Sequence, residues 1–358
     1  MGIGNQYLKV LKRSLLSAQI KFAKHARSLS KIESVEESMD ELALNGFNYP
    51  SYNYYKSEAP CKHVQECPRD FLDFVIIIQG PIPTEPEILL NTIKIYLSYY
   101  PGVTIILSTW QGEYIQPIFD YIDGLTFKNR NTVKIILNEK PLNPGIGNIN
   151  LQVVSTRKAL EYALSIEKVF ALKTRTDQVI LNPSALVIMH QEYEHASKTG
   201  RGVDRILIGS RNTFLFRPYS YSDTLQFAKI DLLLDFWGVE LDTRKPDQID
   251  LNSTSTPMQW AEQNLCEVYL VREFLIKKNF IPVLNFKTHL QALAEFFVVV
   301  DSGQIGVYWN KYTYHQNPWL RLGRWYSTYE VSAFDWKMLN SNIAIYLNLE
   351  AYCFEKWE

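Results

Sequence analysis

Between Phe74 and Asp177 short apolar runs alternate with amphipathic stretches, and this alternation constrains the fold more than any other feature. In "FLDFVIIIQGPIP" the run from Phe74 to Ile78 is bounded by Gly80 and Pro81, the pattern of a strand covered on both faces. "GVTIILSTW", "TVKIILNE" and "KVFALKTRTD" repeat it. Helical patterns lie between them: "ILLNTIKIYLSYY", which stops at Pro101, then "YIQPIFDYI", then "LQVVSTRKALEYALSI". Thr84 and Glu87 predict a capping box for the first of these helices, and Asn150 predicts the cap of the third. Strand–helix–strand units at this spacing need crossovers, so the expectation is an α/β fold with a mainly parallel sheet flanked by helices.

In open parallel sheets ligands bind beyond the carboxyl ends of the strands. The residues just past the four strands are Gln79-Gly80-Pro81, Ser108-Thr109-Trp110, Asn138-Glu139 and Arg175-Thr176-Asp177, and all four groups are expected on one rim. Gly80 permits close backbone approach to a ligand, although a tight turn alone also uses glycine. Arg175 and Asp177 fall on one face of an extended chain, with Lys173 beside them. Such a pair is either a structural salt bridge or a diphosphate site, in which Arg grips phosphate and Asp ligates a divalent ion. No P-loop is present, and the "GIG" of Gly145–Gly147 lacks the third glycine of a dinucleotide fingerprint.

Composition excludes some classes. A net charge of −1 over 358 residues does not suit a surface devoted to nucleic acid, so no nucleic-acid partner is expected. No apolar run reaches the roughly 20 residues of a spanning helix. Cys61, Cys67, Cys266 and Cys353 match no zinc spacing, and without a signal peptide they predict reduced thiols in the cytoplasm. Residues 1–32 carry seven Lys or Arg and no acid. Leu8, Leu11, Leu15, Ala18 and Phe22 share one helical face, opposite Lys9, Lys12, Arg13, Lys24 and Arg27. This is either a helix lying in an anionic membrane surface, on the inner face of the cytoplasmic membrane, or one packed on the protein's own core. The expected organisation is this helix and an acidic, aromatic linker over 1–70, a catalytic domain over 71–332, and packing helices over 333–358.

The ordered motifs "QGP", "IILSTW", "NINLQ" and "LKTRTD" resemble the WavE lipopolysaccharide-synthesis family over residues 74–180. The resemblance continues weakly through "FLFRPYSYSDTLQFAK" and "AEQNLCEVYLVREFL", and the first 70 residues lie outside it. It implies a GT-A-like, Rossmann-type fold, a nucleotide-sugar donor, a cell-surface glycan or lipid-linked acceptor, and "RTD" in the place of a D-x-D metal motif. The chain departs from that motif at Arg175, which leaves Mg²⁺ or Mn²⁺ use open, and from the family's basic residue before Gln152, where it has Leu151. The implied donor residues are Gln79, Gly80, Pro81, Ser108, Thr109, Trp110, Asn150, Gln152, Lys173, Arg175 and Asp177.

Two carboxylates are candidates for the base that takes the acceptor's proton. Asp223 is either a helix N-cap or a residue facing the acceptor. Glu262 is expected in the first turn of a helix, "PMQWAEQNLCEVYLVREFL", that also holds Glu267 and Glu273. In "VYWNKYTYHQNPWLR", Lys311 and Arg321 are candidate diphosphate clamps and His315, with Asp177, a candidate metal ligand; each is also compatible with an ordinary surface or core role. Two other readings stay open at this point. One is a nucleotidyl or sugar-phosphate transferase, and the other is a membrane-associated scaffold that has lost its chemistry.

Overall fold

The computed structural model describes residues 71–125, 132–199, 204–244, 257–309 and 329–350. The basic helix of 1–32, Cys61, Cys67, Cys353, Lys311, His315 and Arg321 lie outside the described residues.

The predicted strands form as β1 (Phe74–Gln79), β2 (Thr104–Trp110), β3 (Val133–Asn138) and β4 (Phe170–Arg175). Every residue of β1 is buried, as a run of Val and Ile requires, and each such side chain stabilises the fold by about 1.5–3 kcal/mol. Helices α1 (Pro86–Tyr99), α2 (Gln116–Asp123) and α3 (Ile149–Ser165) connect them. Two caps differ from expectation. Glu85 occupies the N-cap of α1 without a side-chain bond, so the Thr84–Glu87 box does not form. Asn148, in a left-handed conformation at φ 62°, precedes α3, and Asn150 is already inside that helix.

After β4 come β5 (Gln178–Ile180), α4 (Ala185–Thr199), β6 (Ile206–Gly209), β7 (Gln226–Lys229) and α5 (Ile230–Trp237). The expected single helix around Glu262 is two, α6 (Pro257–Asn264) and α7 (Cys266–Lys277), broken at extended Leu265. Then follow α8 (Phe286–Phe296), β8 (Phe297–Val300), β9 (Val307–Trp309), α9 (Ala333–Ser341) and α10 (Ala344–Leu347). Trp336, Leu339 and Tyr346 of the last two helices enter the common core.

The strands assemble as β3-β2-β1-β4-β7-β6-β8, a seven-stranded sheet, with β5 and β9 forming a separate pair. The sheet is parallel except at β7, which runs against both β4 and β6. An aromatic ladder seals that reversal: Phe74, Phe170 and Phe227 stack across β1, β4 and β7, at 5.3 and 5.8 Å between ring centres. His190 and Tyr193 of α4 meet Phe170 edge-on. Alternation along β4 turns Lys173 to the opposite face, where α3 and α5 pack.

Register brings the four polar groups together. Gln79 is paired with Ser108 on one side and Arg175 on the other, and Trp110 is paired with Asn138. Gly80, at φ 135°, leaves β1 so close to Thr176 that a Cβ there would sit 2.7 Å from the threonine Oγ1. Gly80→Ala is therefore expected to cost about 1–3 kcal/mol through backbone strain and this clash. Urea unfolding measures it, and a variant as stable as the wild type would show that the β1 and β4 ends are not in this close contact.

Candidate active site

The rim divides into residues that build its walls and residues that line it. Ser108 is fully buried; its hydroxyl donates to Ser155 O at 2.7 Å and accepts from Asn138 Nδ2 at 2.9 Å. Thr109 Oγ1 donates to Glu113 at 2.7 Å, and the same carboxylate oxygen accepts from Ile82 N at 2.6 Å. Glu113, which the sequence did not single out, thus ties the loop after β2 to the loop after β1. Trp110 is buried, and Pro81 is exposed beside the turn. In the fold these three residues build the wall of the rim: the Ser108 and Thr109 hydroxyls are engaged within the protein and the Trp110 ring is buried.

Asn150 is also a staple. Its side-chain amide donates to Asn143 O and Asp242 O and accepts from Asp242 N, at 3.0, 2.8 and 2.7 Å. These bonds pin the segment holding Asp242 and Arg244 to the Asn143–Asn148 loop. That loop needs left-handed backbone at Gly145 and Gly147, and a Cβ on Gly147 would meet the Cys266 sulfur at 3.0 Å.

The lining sits at the end of β4. Because β7 is antiparallel, its start, not its end, lies on the rim, and Lys173 pairs with Gln226. Asp223 consequently arrives three residues before β7, in a loop and not at a helix N-cap. Lys173, fully buried, donates to the Asp223 carbonyl and to Gln152 Oε1 at 3.2 Å, and its amine lies 4.7 Å from the Trp237 ring centre. Gln152 Nε2 completes the triangle by donating to Asp223 Oδ2 at 2.8 Å. Burial pushes the Lys173 amine down to about 7, against the attraction of Asp223.

Arg175 and Asp177 form the second part. The guanidinium grips Asp177 through Nε and Nη2 at 2.8 and 2.9 Å, and packs over Trp309, whose strand β9 pairs with β5. Asp177 therefore takes two of the donors that an Arg presents in a fixed fork. Gln79, paired in register with Arg175, is buried, and its Oε1 has no hydrogen-bond partner among the described residues. As a divalent-cation site this set does not fit. Both Asp177 oxygens are held by a cation already, and no group of three His, Cys, Asp or Glu is gathered among the described residues.

Glu262 is not brought to this group. It lies near the end of α6, not in a first turn, and its carboxylate pairs with Arg272 at 3.0 Å. Glu267 takes a place the sequence did not predict. The break at Leu265 starts α7 at Cys266, so Glu267 falls in its first turn. Its carboxylate accepts from Ser220 Oγ at 3.0 Å and from Cys266 Sγ at 3.3 Å. Burial, and then the nearby Asp223, raise the Glu267 carboxyl above the usual carboxylate range. Nothing in a continuous helical pattern separates such a glutamate from a solvated one.

The sequence profile of one family matches residues 74–355, and its description is WavE lipopolysaccharide synthesis. The chain belongs to the WavE lipopolysaccharide synthesis family. Similarity to solved structures is remote. An active-site mutant of LgtC is 11% identical, with 64% of this chain and 73% of that one covered and a TM-score of 0.32. S. aureus TarS is 14% identical, with 62% and 42% covered and a TM-score of 0.33, so the chain spans less than half of TarS. Mannose-1-phosphate geranyltransferase from Thermus thermophilus is 10% identical, with 38% and 40% covered and a TM-score of 0.24. No curated protein is a significant match. The WavE profile covers Gln79, Gln152, Lys173, Arg175, Asp177, Asp223 and Glu267, that is, the whole of the lining described above.

The depressed Lys173 amine has a consequence for stability. Between about pH 7 and the ordinary lysine value of 10.5 the unfolded chain holds a proton that the folded chain lacks. Stability from this group therefore rises with pH through that window, by at most about 1.4 kcal/mol per unit, and is constant below it. Urea unfolding at about pH 7 and about pH 9 is expected to show this rise in the wild type and not in Lys173→Met. An equal pH dependence in the two proteins would mean that the amine is not desolvated in the fold.

Proposed function

We propose that this WavE family member is a glycosyltransferase that moves a sugar from a nucleotide-sugar donor to a lipopolysaccharide or other cell-surface glycan, free or lipid-linked. The observation that supports it best is that the Arg175 guanidinium, fixed by Asp177, and the buried Asp223 loop both adjoin the rim end of β4, where Lys173 bonds to the Asp223 carbonyl. Glycosyl transfer needs charge stabilisation for a departing diphosphate and a base for the incoming hydroxyl. Arg175 suits the first task, with Asp177 setting the plane of its fork. Asp223 suits the second, with Gln152 orienting its carboxylate. In the reaction so assigned, the acceptor oxygen bonds to the sugar C1 while its proton passes to Asp223. The bond from C1 to the phosphate oxygen breaks, and its electron pair leaves on the diphosphate beside Arg175. The buried Gln79 Oε1 offers an acceptor to a donor hydroxyl or base N–H. No step is assigned to a metal.

The test is a thermal-shift screen with UDP-, GDP-, CMP- and dTDP-sugars, each with and without Mn²⁺. One nucleotide class is expected to raise the melting temperature without Mn²⁺, and Arg175→Ala to remove the shift. Asp223→Asn is expected to keep the shift and to lower turnover by about 10²–10⁴-fold. Wild-type binding in Arg175→Ala together with wild-type turnover in Asp223→Asn would refute the site, and a folded protein that no nucleotide shifts would favour a scaffold.

A cytoplasmic location on the inner membrane face is part of the same proposal. Among the described residues no helix is long and apolar enough to cross a membrane. The acid-free basic pattern of residues 1–32 supports surface attachment. Deleting those residues is expected to reduce co-sedimentation with anionic liposomes, and undiminished binding would assign the segment to the protein's own packing.

A further inference from the structure

Lys173 is fully buried, so whatever it does for the site it does through its neighbours. Three groups receive its amine: the Asp223 carbonyl, Gln152 Oε1 at 3.2 Å, and the face of the Trp237 ring. Gln152 is buried beside it, in the first turn of α3. Asn150, two residues earlier, bonds that turn to Asp242 and to the Asn143 carbonyl, so the Gln152 backbone is held in place.

The Gln152 amide is held at both ends. An ionised carboxylate only accepts hydrogen bonds, so the amide NH2 faces Asp223 Oδ2, at 2.8 Å, and the amide oxygen is left for Lys173. Turned over, the amide would set oxygen against oxygen at that distance. The last torsion of a glutamine side chain is broad, so one bond would leave the amide free to rotate; the second bond, from Lys173, fixes its plane. Lys173 thus holds Asp223 twice, at the backbone directly and at the carboxylate through Gln152.

The other bonds of this loop stop short of the carboxylate. Tyr219 N donates to His289 Nδ1 at 3.1 Å and Ser222 N to Thr213 Oγ1 at 3.1 Å, both upstream of Asp223. Among the described residues the Gln152 amide is the one hydrogen-bond donor to the Asp223 carboxylate, and it occupies Oδ2. Oδ1 is left for an incoming group.

We propose that Lys173 and Gln152 are positioning residues for the base. Together they turn the Asp223 carboxylate so that Oδ2 is occupied and Oδ1 takes the acceptor's proton as the acceptor oxygen bonds to the sugar C1. The inference rests on the proposed role of Asp223. It assigns both residues to the acceptor side of the reaction, where they act on the chemical step, while the hold on the donor diphosphate is the task of Arg175. Neither residue touches a substrate.

Crystal structures of the full-length variants Lys173→Met and Gln152→Met test the positioning without any ligand. In Lys173→Met, Asp223 Oδ2 and Gln152 Nε2 are expected to part beyond about 3.5 Å, outside hydrogen-bond reach. In Gln152→Met the carboxylate is expected to leave its wild-type plane. A carboxylate that keeps its wild-type place in either variant overturns the inference.

Kinetics test the consequence, with the nucleotide sugar that shifts melting as donor and released nucleotide as the readout. Each variant is expected to lower kcat by about 10²-fold and to leave the KM of the donor within about 3-fold. The double variant is expected to lose about as much as the worse single one, because both residues act on one carboxylate. A raised KM with kcat kept would make the two residues donor ligands and overturns the inference, as does a double loss equal to the product of the single losses. Wild-type kcat in either single variant, with Asp223→Asn inactive, also overturns it and leaves the proposed function standing. Full turnover in Asp223→Asn refutes the proposed function itself, and the inference falls with it.

Discussion

A lysine amine buried inside the sheet's helix-covered face is the constraint around which the rest of this molecule is arranged. Lys173 cannot be accommodated there without partners, because an unsatisfied ammonium in apolar surroundings costs several kcal/mol. Its partners come from three other elements: Gln152 from α3, the Asp223 carbonyl from the loop before β7, and the Trp237 ring from α5. Satisfying one amine therefore fixes where two helices and a loop meet. The aromatic ladder does the complementary work on the opposite face, holding β7 against β4 with Phe170 and Phe227 nearly parallel, at 6° between planes. Apolar stacking on one side and a polar triangle on the other define the same seam.

The parallel half of the fold was legible because its strands are buried on both faces and so read as unbroken Val and Ile runs. Register carried the prediction further, since four strand ends in a parallel sheet must share a rim, and Gln79, Ser108, Asn138 and Arg175 do. The antiparallel strand was not legible. "QFAK" is four residues long, and its partner on β4 is about fifty residues away in sequence. Without that reversal, Asp223 reads as a cap at a bend; with it, Asp223 lies beside Lys173. Glu267 was hidden for a different reason. Leu265 is a good helix former, and only tertiary packing holds it extended and starts a new helix at Cys266.

The rim also shows how polarity can mislead. Ser108, Thr109, Asn138 and Asn150 are as polar as Arg175 and Asp223, but every one of them satisfies a backbone or side-chain group of the protein itself. Their work is to hold four loops at fixed spacing, which lets the few remaining groups face outward in a defined geometry. Gln79 differs from them, since its side-chain carbonyl oxygen is buried without a hydrogen-bond partner among the described residues. Arg175 and Asp177 stand between the two kinds: they pair with each other while sitting at a strand end, where a ligand can compete for the guanidinium.

The reversal at β7 also bears on the order in which the molecule assembles. Gln152 meets Asp223 across 71 residues of chain, and Ser220 meets Glu267 across 47. Both exceed the span of β1, β2 and their connecting helix, and the β1–β4 pairing reaches further still, joining Phe74 to Phe170. Separations of this size carry a loop-closure cost that the buried seam must offset. The corner is thus complete only when the β4–β7 seam has closed.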